Sequence, residues 1–177
     1  MDFTAVLALL ADAFERRLHA RYAVIGGVGL AAMGMPRTTL DVDVVTDAAA
    51  QAQLVDLLER EGYETLHRSS GYSNHLHRDP SRGRVDVVYV SGDTASALFG
   101  ATRLLDGPGG RPMPVPSPEH LAAMKVLAIK NDPSRTFQDL ADIRFLLDRG
   151  GADRQVVRSY FERHGLLERY LDVERTL

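Results

Sequence analysis

The chain has 177 residues, of which 45% are hydrophobic and 25% charged, and its formal net charge is −3. This length and apolar content allow one domain, or a core with a smaller appendage, and exclude intrinsic disorder. The chain has no cysteine, which excludes disulfide scaffolds, thiolate metal sites and cysteine nucleophiles. No apolar run reaches the roughly 20 residues of a membrane span, and the first residues lack an export-signal pattern. We therefore expect a cytoplasmic protein with no membrane partner.

The pattern of apolar residues predicts a mixed α/β core in the first two thirds of the chain. The predicted elements are a helix over 3–19, a strand over 22–26, a short helix over 28–35 that ends before Pro36, a strand over 41–46, a helix over 48–61, and strands over 63–67, 74–78 and 84–90. The last two strands are joined by residues 79–83, whose composition is typical of a hairpin turn.

The composition changes after this core. Residues 106–118 are rich in proline and glycine and indicate a linker around a short extended piece. Ser117, followed by Pro118 and Glu119, predicts the start of a helix to about residue 131, and a second helix follows over 136–149. We therefore expect a core domain over 1–116 and a helical region over 117–177.

Two acids, Asp41 and Asp43, lie on one predicted strand and project from the same face, with Cα atoms about 7 Å apart. Two ionised carboxylates side by side repel each other, and a divalent cation such as Mg²⁺ or Mn²⁺ removes that cost. The alternative is an edge strand with solvated acids. A later strand carries a third acid, Asp86, which needs a partner if it is buried.

The Gly26-Gly27 turn opens a short helix, where bare N–H groups can receive a phosphate. Gly27-x-Gly29-x-x-Ala32 also imitates a dinucleotide-binding fingerprint, with Asp47 placed as its ribose-binding acid. That alternative is opposed by the proline that shortens the helix and by the two acids that open the next strand, since a buried parallel strand should be continuously apolar.

Together, the glycine turn, the acidic pair and Asp86 resemble the DNA polymerase β-like nucleotidyltransferase superfamily. The resemblance implies that Asp41 and Asp43 hold two Mg²⁺ ions and that Asp86 completes the metal site, as proton acceptor or only as ligand. The serine common at the second position of the superfamily's glycine turn is Gly27 in this chain, which removes a hydroxyl contact to a phosphate.

Lys125 lies on the apolar stripe of its predicted helix, among Leu121, Ala122, Ala128 and Ile129. A lysine in that position either extends its ammonium to water or meets an anion such as a triphosphate. On the next helix, Asp139 borders the apolar stripe, and we expect Asp142 on the polar side.

The motif Arg37-x-Thr39-x-Asp41-x-Asp43 and the later pairs Pro118-Glu119, Met124-Lys125, Asp139-Leu140 and Asp142-Ile143 resemble AbiEii-type nucleotidyltransferases, which are abortive-infection and toxin–antitoxin proteins. The resemblance covers about residues 22–147. It implies an α/β nucleotidyltransferase core with helices closing over the nucleotide. It further implies nucleotide contacts from Gly26, Gly27, Arg37, Thr39 and Lys125, with Asp139 holding the base, the ribose or that lysine.

The implied reaction is Mg²⁺-dependent transfer of a nucleoside monophosphate from an NTP to a hydroxyl of tRNA or protein, with a cognate antitoxin left open as a partner. Residues 67–84 are locally basic through Arg68, Arg78, Arg82 and Arg84, which favours a macromolecular acceptor, although a solvated hairpin explains these charges equally well. The alternatives are antibiotic-type nucleotidylation of a small molecule and a non-catalytic nucleotide-binding partner protein. His75 and His77 share a strand face but have no third ligand nearby, so we expect a polar hairpin face there.

Overall fold

The computed structural model describes residues 1–35 and 37–177, so the helix stop predicted from Pro36 falls on a residue outside that description. In the described part, the chain is an α/β protein with seven strands and eight α-helices. The strands are β1 (Tyr22–Ile25), β2 (Asp41–Asp47), β3 (Tyr63–Arg68), β4 (Tyr72–His77), β5 (Arg84–Val90), β6 (Arg103–Asp106) and β7 (Pro112–Val115). The helices are α1 (Phe3–Asp12), α2 (Gly26–Ala32), α3 (Gln51–Arg60), α4 (Gly92–Gly100), α5 (Pro118–Asn131), α6 (Thr136–Asp148), α7 (Arg154–Arg163) and α8 (Leu167–Glu174).

Contacts divide the chain into two compact units. The first carries all the strands and α1–α4, and the second consists of Ser117–Leu177 together with Met33–Met35. In the described part of the chain, no helix has the length and apolar content needed to cross a bilayer.

The first unit is built on a five-stranded mixed sheet with the order β1-β2-β5-β4-β3. β2 and β5 are parallel, whereas the β1–β2, β5–β4 and β4–β3 pairs are antiparallel. The antiparallel pairing of β1 with β2 excludes the dinucleotide-binding alternative, which requires a parallel crossover between these strands. Val42, Val44, Val85 and Val87 are fully buried, so the acids between them project from the opposite face of the sheet.

Several predicted boundaries need correction. The short helix begins at Gly26 and ends at Ala32, rather than running over 28–35. α4 has no counterpart among the predicted elements, and most of the β6–β7 hairpin lies in the segment predicted to be a linker. Alternation is hard to recognise in that hairpin because Pro112 and Pro114 interrupt β7. The predicted helix over 3–19 is confirmed, since α1 continues through a π-helical segment over Ala13–Leu18.

The second unit is helical, as the apolar periodicity predicts. α5 begins where expected, with the Ser117 hydroxyl accepting a hydrogen bond from the His120 backbone N–H. The core of the second unit is formed by apolar side chains of all four helices, among them Leu121, Ile143, Leu146, Val157, Phe161 and Tyr170.

Candidate active site

Three carboxylates from two neighbouring strands meet at one face of the sheet. β2 and β5 pair in parallel with Asp43 directly opposite Asp86, and Asp41 lies two residues before Asp43 on the same face. One oxygen from each carboxylate lies within 4.8 Å of the others. Asp86 is buried, while Asp41 and Asp43 are half-buried. The structure therefore brings together the three acids that the sequence analysis grouped.

Asp86 is held by three side chains from its own sheet. Its Oδ1 accepts hydrogen bonds from Asn74 Nδ2 at 2.8 Å and Arg84 Nε at 2.7 Å, and its Oδ2 accepts one from the Tyr72 hydroxyl at 3.1 Å. Asn74 also donates to the Tyr72 hydroxyl. These donors supply the partner that a buried carboxylate requires and fix its orientation.

The pKa values of two ionisable neighbours of Asp86, Arg84 and Tyr72, are shifted by their surroundings. The hydrogen bond to Asp86 raises the pKa of Arg84 above its usual value, so its guanidinium stays charged. Burial, followed by the negative charge of Asp86, raises the pKa of the Tyr72 phenol. The contacts of Tyr72 and Asn74 with Asp86 were not predicted from the sequence. The available signal was their alternation along a strand that neighbours the one carrying Asp86.

The glycine turn lies directly against the acidic pair. Gly26 has φ +59°, and a Cβ built on it would stand 1.9 Å from Oδ2 of Asp43. A Cβ on Gly27 would stand 2.6 Å from Cβ of Thr39 and 2.8 Å from its hydroxyl oxygen. The Thr39 hydroxyl in turn donates to Oδ1 of Asp41 at 2.5 Å. Both glycines are therefore required by close approach, and the space that a serine at position 27 would need is filled by Thr39.

A cleft of about 520 Å³ lies beside this turn. Its lining includes three of the residues predicted to contact a nucleotide, Gly27, Arg37 and Thr39. Val28, Ala31 and Met113 give it an apolar wall. The cleft thus combines apolar surface with a few polar groups, as small-molecule sites usually do.

Lys125 lies in a buried cluster of charges in the second unit. Its Nζ is 2.7 Å from Oδ1 of Asp139 and 2.7 Å from Oδ2 of Asp142, and Arg135 Nε is 3.2 Å from the other oxygen of Asp139. Asp139 and Asp142 are only 0% and 1% exposed. The expectation that Asp142 faces solvent is wrong, because α5 presents a cation to the side of α6 that its own sequence marks as polar.

His75 and His77 do not meet at a common site. His75 is fully buried between the hydroxyls of Ser73 and Thr65, so the expected polar hairpin face is wrong at this position. His77 instead pairs its Nε2 with the backbone carbonyl of Glu61 at 2.9 Å. Burial lowers the pKa of His75, which keeps the imidazole neutral.

The family model described as "Nucleotidyl transferase AbiEii toxin, Type IV TA system" matches residues 8–176. The chain belongs to the AbiEii family. This AbiEii protein is therefore a nucleotidyltransferase from a toxin–antitoxin family, as the resemblance implied. No curated protein is significantly similar to it in sequence.

Solved structures of other nucleotidyltransferases share the fold of this AbiEii protein. The solution structure of the antibiotic-resistance factor ANT(2″)-Ia is 20% identical with a TM-score of 0.67, covering 99% of this chain and 98% of its own. The lincomycin-bound lincosamide adenylyltransferase LnuA is 21% identical with a TM-score of 0.58, covering 81% and 96%. An antigenic nucleotidyltransferase-like protein from Paracoccidioides brasiliensis is 18% identical with a TM-score of 0.56, covering 97% and 93%.

Proposed function

We propose that this AbiEii protein transfers a nucleoside monophosphate from an NTP to a hydroxyl of tRNA or protein, in a Mg²⁺-dependent reaction that serves a toxin–antitoxin or phage-defence system. The observation that carries the proposal is the convergence of Asp41, Asp43 and Asp86 beside the glycine turn. Family membership supplies the reaction class. The ion, the acceptor and the residue roles are our inference.

The donor set fits a hard divalent cation. Three carboxylates offer only oxygen ligands, which Mg²⁺ and Mn²⁺ prefer. Ligand oxygens on one Mg²⁺ lie at most about 4.2 Å apart, so carboxylates already within 4.8 Å need little movement to share an ion. When bound, such ions supply positive charge against the phosphate oxygens and promote ionisation of the attacking hydroxyl.

In the proposed reaction the acceptor oxygen forms a bond to the α-phosphorus while the bond from that phosphorus to the bridging oxygen breaks. Pyrophosphate leaves, and the hydroxyl proton passes to Asp86. The hydrogen bonds from Tyr72, Asn74 and Arg84 hold Asp86 in the orientation needed for this role. Asp41 and Asp43 act as ligands to the ions, and the Gly26-Gly27 turn lets the phosphates approach the backbone.

Lys125 is assigned to the phosphates of the nucleotide. An ammonium has three N–H donors, and Asp139 and Asp142 account for two of them. We assign the third to a phosphate oxygen, with the two carboxylates fixing the direction of the ammonium. In this role Asp139 holds the lysine rather than the base or the ribose.

Antibiotic-type transfer to a small molecule is the second candidate. ANT(2″)-Ia is an antibiotic-resistance factor, LnuA binds lincomycin, and both share the fold. The two candidates use the same three acids and differ in the acceptor alone.

Label transfer tests the proposal. The protein is incubated with Mg²⁺, each α-labelled NTP in turn and a cell extract, and the products are digested with ribonuclease or protease. Asp43→Asn should abolish transfer. Asp47→Asn is the matched control, because Asp47 lies on the same strand but pairs with Arg21, and it should transfer like the wild type. Chelation by EDTA should stop the reaction, and added Mg²⁺ or Mn²⁺ should restore it.

The digestion identifies the acceptor. Label lost to ribonuclease or to protease supports a macromolecular acceptor, whereas label that survives both in a small product supports the antibiotic-type candidate. Measurable NTP binding without label in any product would show a non-catalytic binder and overturn the proposal.

A further inference from the structure

A hydroxyl of the chain itself is bonded to the carboxylate that takes the proton in the proposed reaction. The Tyr72 hydroxyl donates to Oδ2 of Asp86 at 3.1 Å. A general base must lie within hydrogen-bond distance of the proton that it removes, and this distance meets that requirement. Tyr72 and Asp86 therefore have the geometry of a nucleophile and its base.

The sheet brings the phenol to the acids. β4 and β5 are antiparallel with Asn74 opposite Asp86, and Tyr72 precedes Asn74 by two residues, so its side chain projects from the same face. One oxygen from each of the three carboxylates lies within 4.8 Å of the others, and the phenol oxygen is bonded to one of these carboxylates. An α-phosphate held at the acids is therefore within reach of the phenol.

Two neighbouring donors favour a reaction at the phenol oxygen. The side-chain amide of Asn74 donates to this oxygen, and the guanidinium of Arg84 lies beside it. Negative charge develops on a hydroxyl oxygen as its proton leaves, and donors already aimed at that oxygen stabilise the charge. The surroundings of Tyr72 thus support the phenol as an attacking group.

Thr39 also donates its hydroxyl to an acid of the cluster, at 2.5 Å from Oδ1 of Asp41. Its oxygen is confined by the glycine turn, because a Cβ on Gly27 would stand 2.8 Å from it. In the proposed reaction Asp41 binds the ions and does not take the proton. Tyr72 is therefore the better placed of these two internal hydroxyls.

We propose that this AbiEii protein has a second activity, in which each chain nucleotidylates its own Tyr72. The phenol oxygen forms a bond to the α-phosphorus of the NTP while the bond from that phosphorus to the bridging oxygen breaks. Pyrophosphate leaves, and the phenol proton passes to Asp86. The product is a phosphodiester between Tyr72 and the nucleoside.

The modification would end transfer to other acceptors. It removes the O–H group that donates to Asp86, and it fills the space beside that carboxylate with a nucleotide. An NTP bound without an acceptor would then inactivate the chain that holds it. This inference rests on the proposed function, since it uses the same acids and the same nucleotide.

Mass spectrometry tests the self-modification. The protein is incubated with Mg²⁺ and each NTP in turn, without an acceptor, and its intact mass and tryptic peptides are measured. We expect a single nucleoside monophosphate per chain, on the peptide that carries Tyr72. Tyr72→Phe keeps the ring, lacks the hydroxyl and should stay unmodified. Tyr160→Phe is the matched control, because Tyr160 lies on α7 against the guanidinium of Arg163, and it should be modified like the wild type.

A mixing experiment tests whether the reaction stays within one chain. Asp43→Asn retains Tyr72 but lacks a proposed ligand to the ions, and an affinity tag gives it a separate mass. Mixed with the wild type, the Asp43→Asn chain should stay unmodified. The fraction of wild-type chains modified in a given time should not depend on protein concentration.

Preincubation with NTP measures the consequence for transfer. After free nucleotide has been removed, label transfer to a cell extract is compared with that of the same protein without preincubation. The ratio should fall for the wild type in proportion to the fraction of modified chains. It should stay near one for Tyr72→Phe, whatever the starting activity of that variant.

The outcomes separate this inference from the proposed function. Absence of the adduct, while label passes to other acceptors, overturns the inference and leaves the proposed function standing. An adduct on Thr39 or on any residue other than Tyr72, or on the Asp43→Asn chain of the mixture, also overturns it. Absence of both the adduct and transfer to any acceptor overturns both proposals.

Discussion

Gly26 and Asp43 approach so closely that a Cβ on the glycine would stand 1.9 Å from Oδ2 of the carboxylate. The turn that ends β1 and the acid on β2 therefore cannot be altered independently. Ile25 pairs directly with Asp43, so the sheet itself fixes this approach. The Asp43 carboxylate can occupy its position only because Gly26 has no side chain.

Gly26→Ala should reduce transfer by about 100-fold, because displacing a catalytic group by about an ångström has effects of this size. The alanine must also adopt φ +59°, at a cost of about 1–3 kcal/mol of folding stability. Gly92→Ala is the matched control, since Gly92 has φ +57° and a Cβ there meets nothing within 4 Å. Both variants should lower the melting temperature, Gly26→Ala by more because its Cβ also meets Asp43, but only Gly26→Ala should lose transfer. If Gly26→Ala and Gly92→Ala showed equal transfer, the close approach of Gly26 to Asp43 would not matter for activity.

Gly27→Ser should destabilise the protein by about 1–3 kcal/mol, the usual cost of overpacking, because its Cβ would meet Thr39 at 2.6 Å. The double variant Gly27→Ser/Thr39→Gly removes that contact and returns a hydroxyl to the same space. The double variant should recover much of the stability and transfer that Gly27→Ser loses. Thr39→Gly alone should show no improvement over the wild type in either property. Denaturant unfolding measures the change in stability, and label transfer measures the change in activity. If the losses of the two single variants simply added in the double variant, the claim that a serine at position 27 and Thr39 compete for one space would be refuted.

Lys125→Met should destabilise the protein by about 3–5 kcal/mol, because it leaves two buried carboxylates without their shared cation. Adding Asp142→Leu removes one of those carboxylates, while Asp139 keeps its ion pair with Arg135. The double variant should therefore be more stable than Lys125→Met alone. Unfolding in urea of the wild type, of these two variants and of Asp142→Leu alone completes the double-mutant cycle. The two variants that lack Lys125 should bind NTP more weakly than the wild type. Measuring NTP affinity therefore tests the phosphate contact separately from folding stability.

His75 should make the protein less stable as the pH falls below its ordinary pKa of 6.5. Burial lowers the folded-state pKa, so between the two values the unfolded chain binds a proton that the folded chain does not, and the proton favours unfolding. The loss is about 1.4 kcal/mol for each pH unit within that window. In His75→Gln this contribution disappears, and the free energy of unfolding should vary less between pH 5 and pH 7. His120, whose pKa is also lowered by burial, accounts for part of the remaining slope. Identical slopes in both proteins would contradict this account.

The acidic face of β2 could be predicted from the sequence because the pattern that reveals it lies within a single segment of the chain. Asp41 and Asp43 alternate with Val42 and Val44, and this alternation specifies which side chains are buried once a strand is assumed. Ser117 likewise identified the start of α5. Such signals need no knowledge of how distant segments pair.

The remaining features depend on pairing between distant segments. Asn74 and Tyr72 are recognisable as partners of Asp86 only from the pairing of β4 with β5. The sequence of α6 alone predicts a solvated Asp142, because it cannot reveal the lysine on α5 that neutralises this acid. The pairing of β3 with β4 shifts by one residue between Thr65 and His67, and such a bulge depends on the register of two strands, which no single segment encodes.

The parallel register of β2 and β5 has a consequence for when the protein can act. A shift of one residue in either strand would turn its carboxylates toward the apolar face, where an ionised acid without a partner is costly. Such a chain could still form strands, but it would have no acidic cluster. A newly made copy of this protein therefore lacks its acidic cluster until two strands separated by a helix and a hairpin have found their correct alignment.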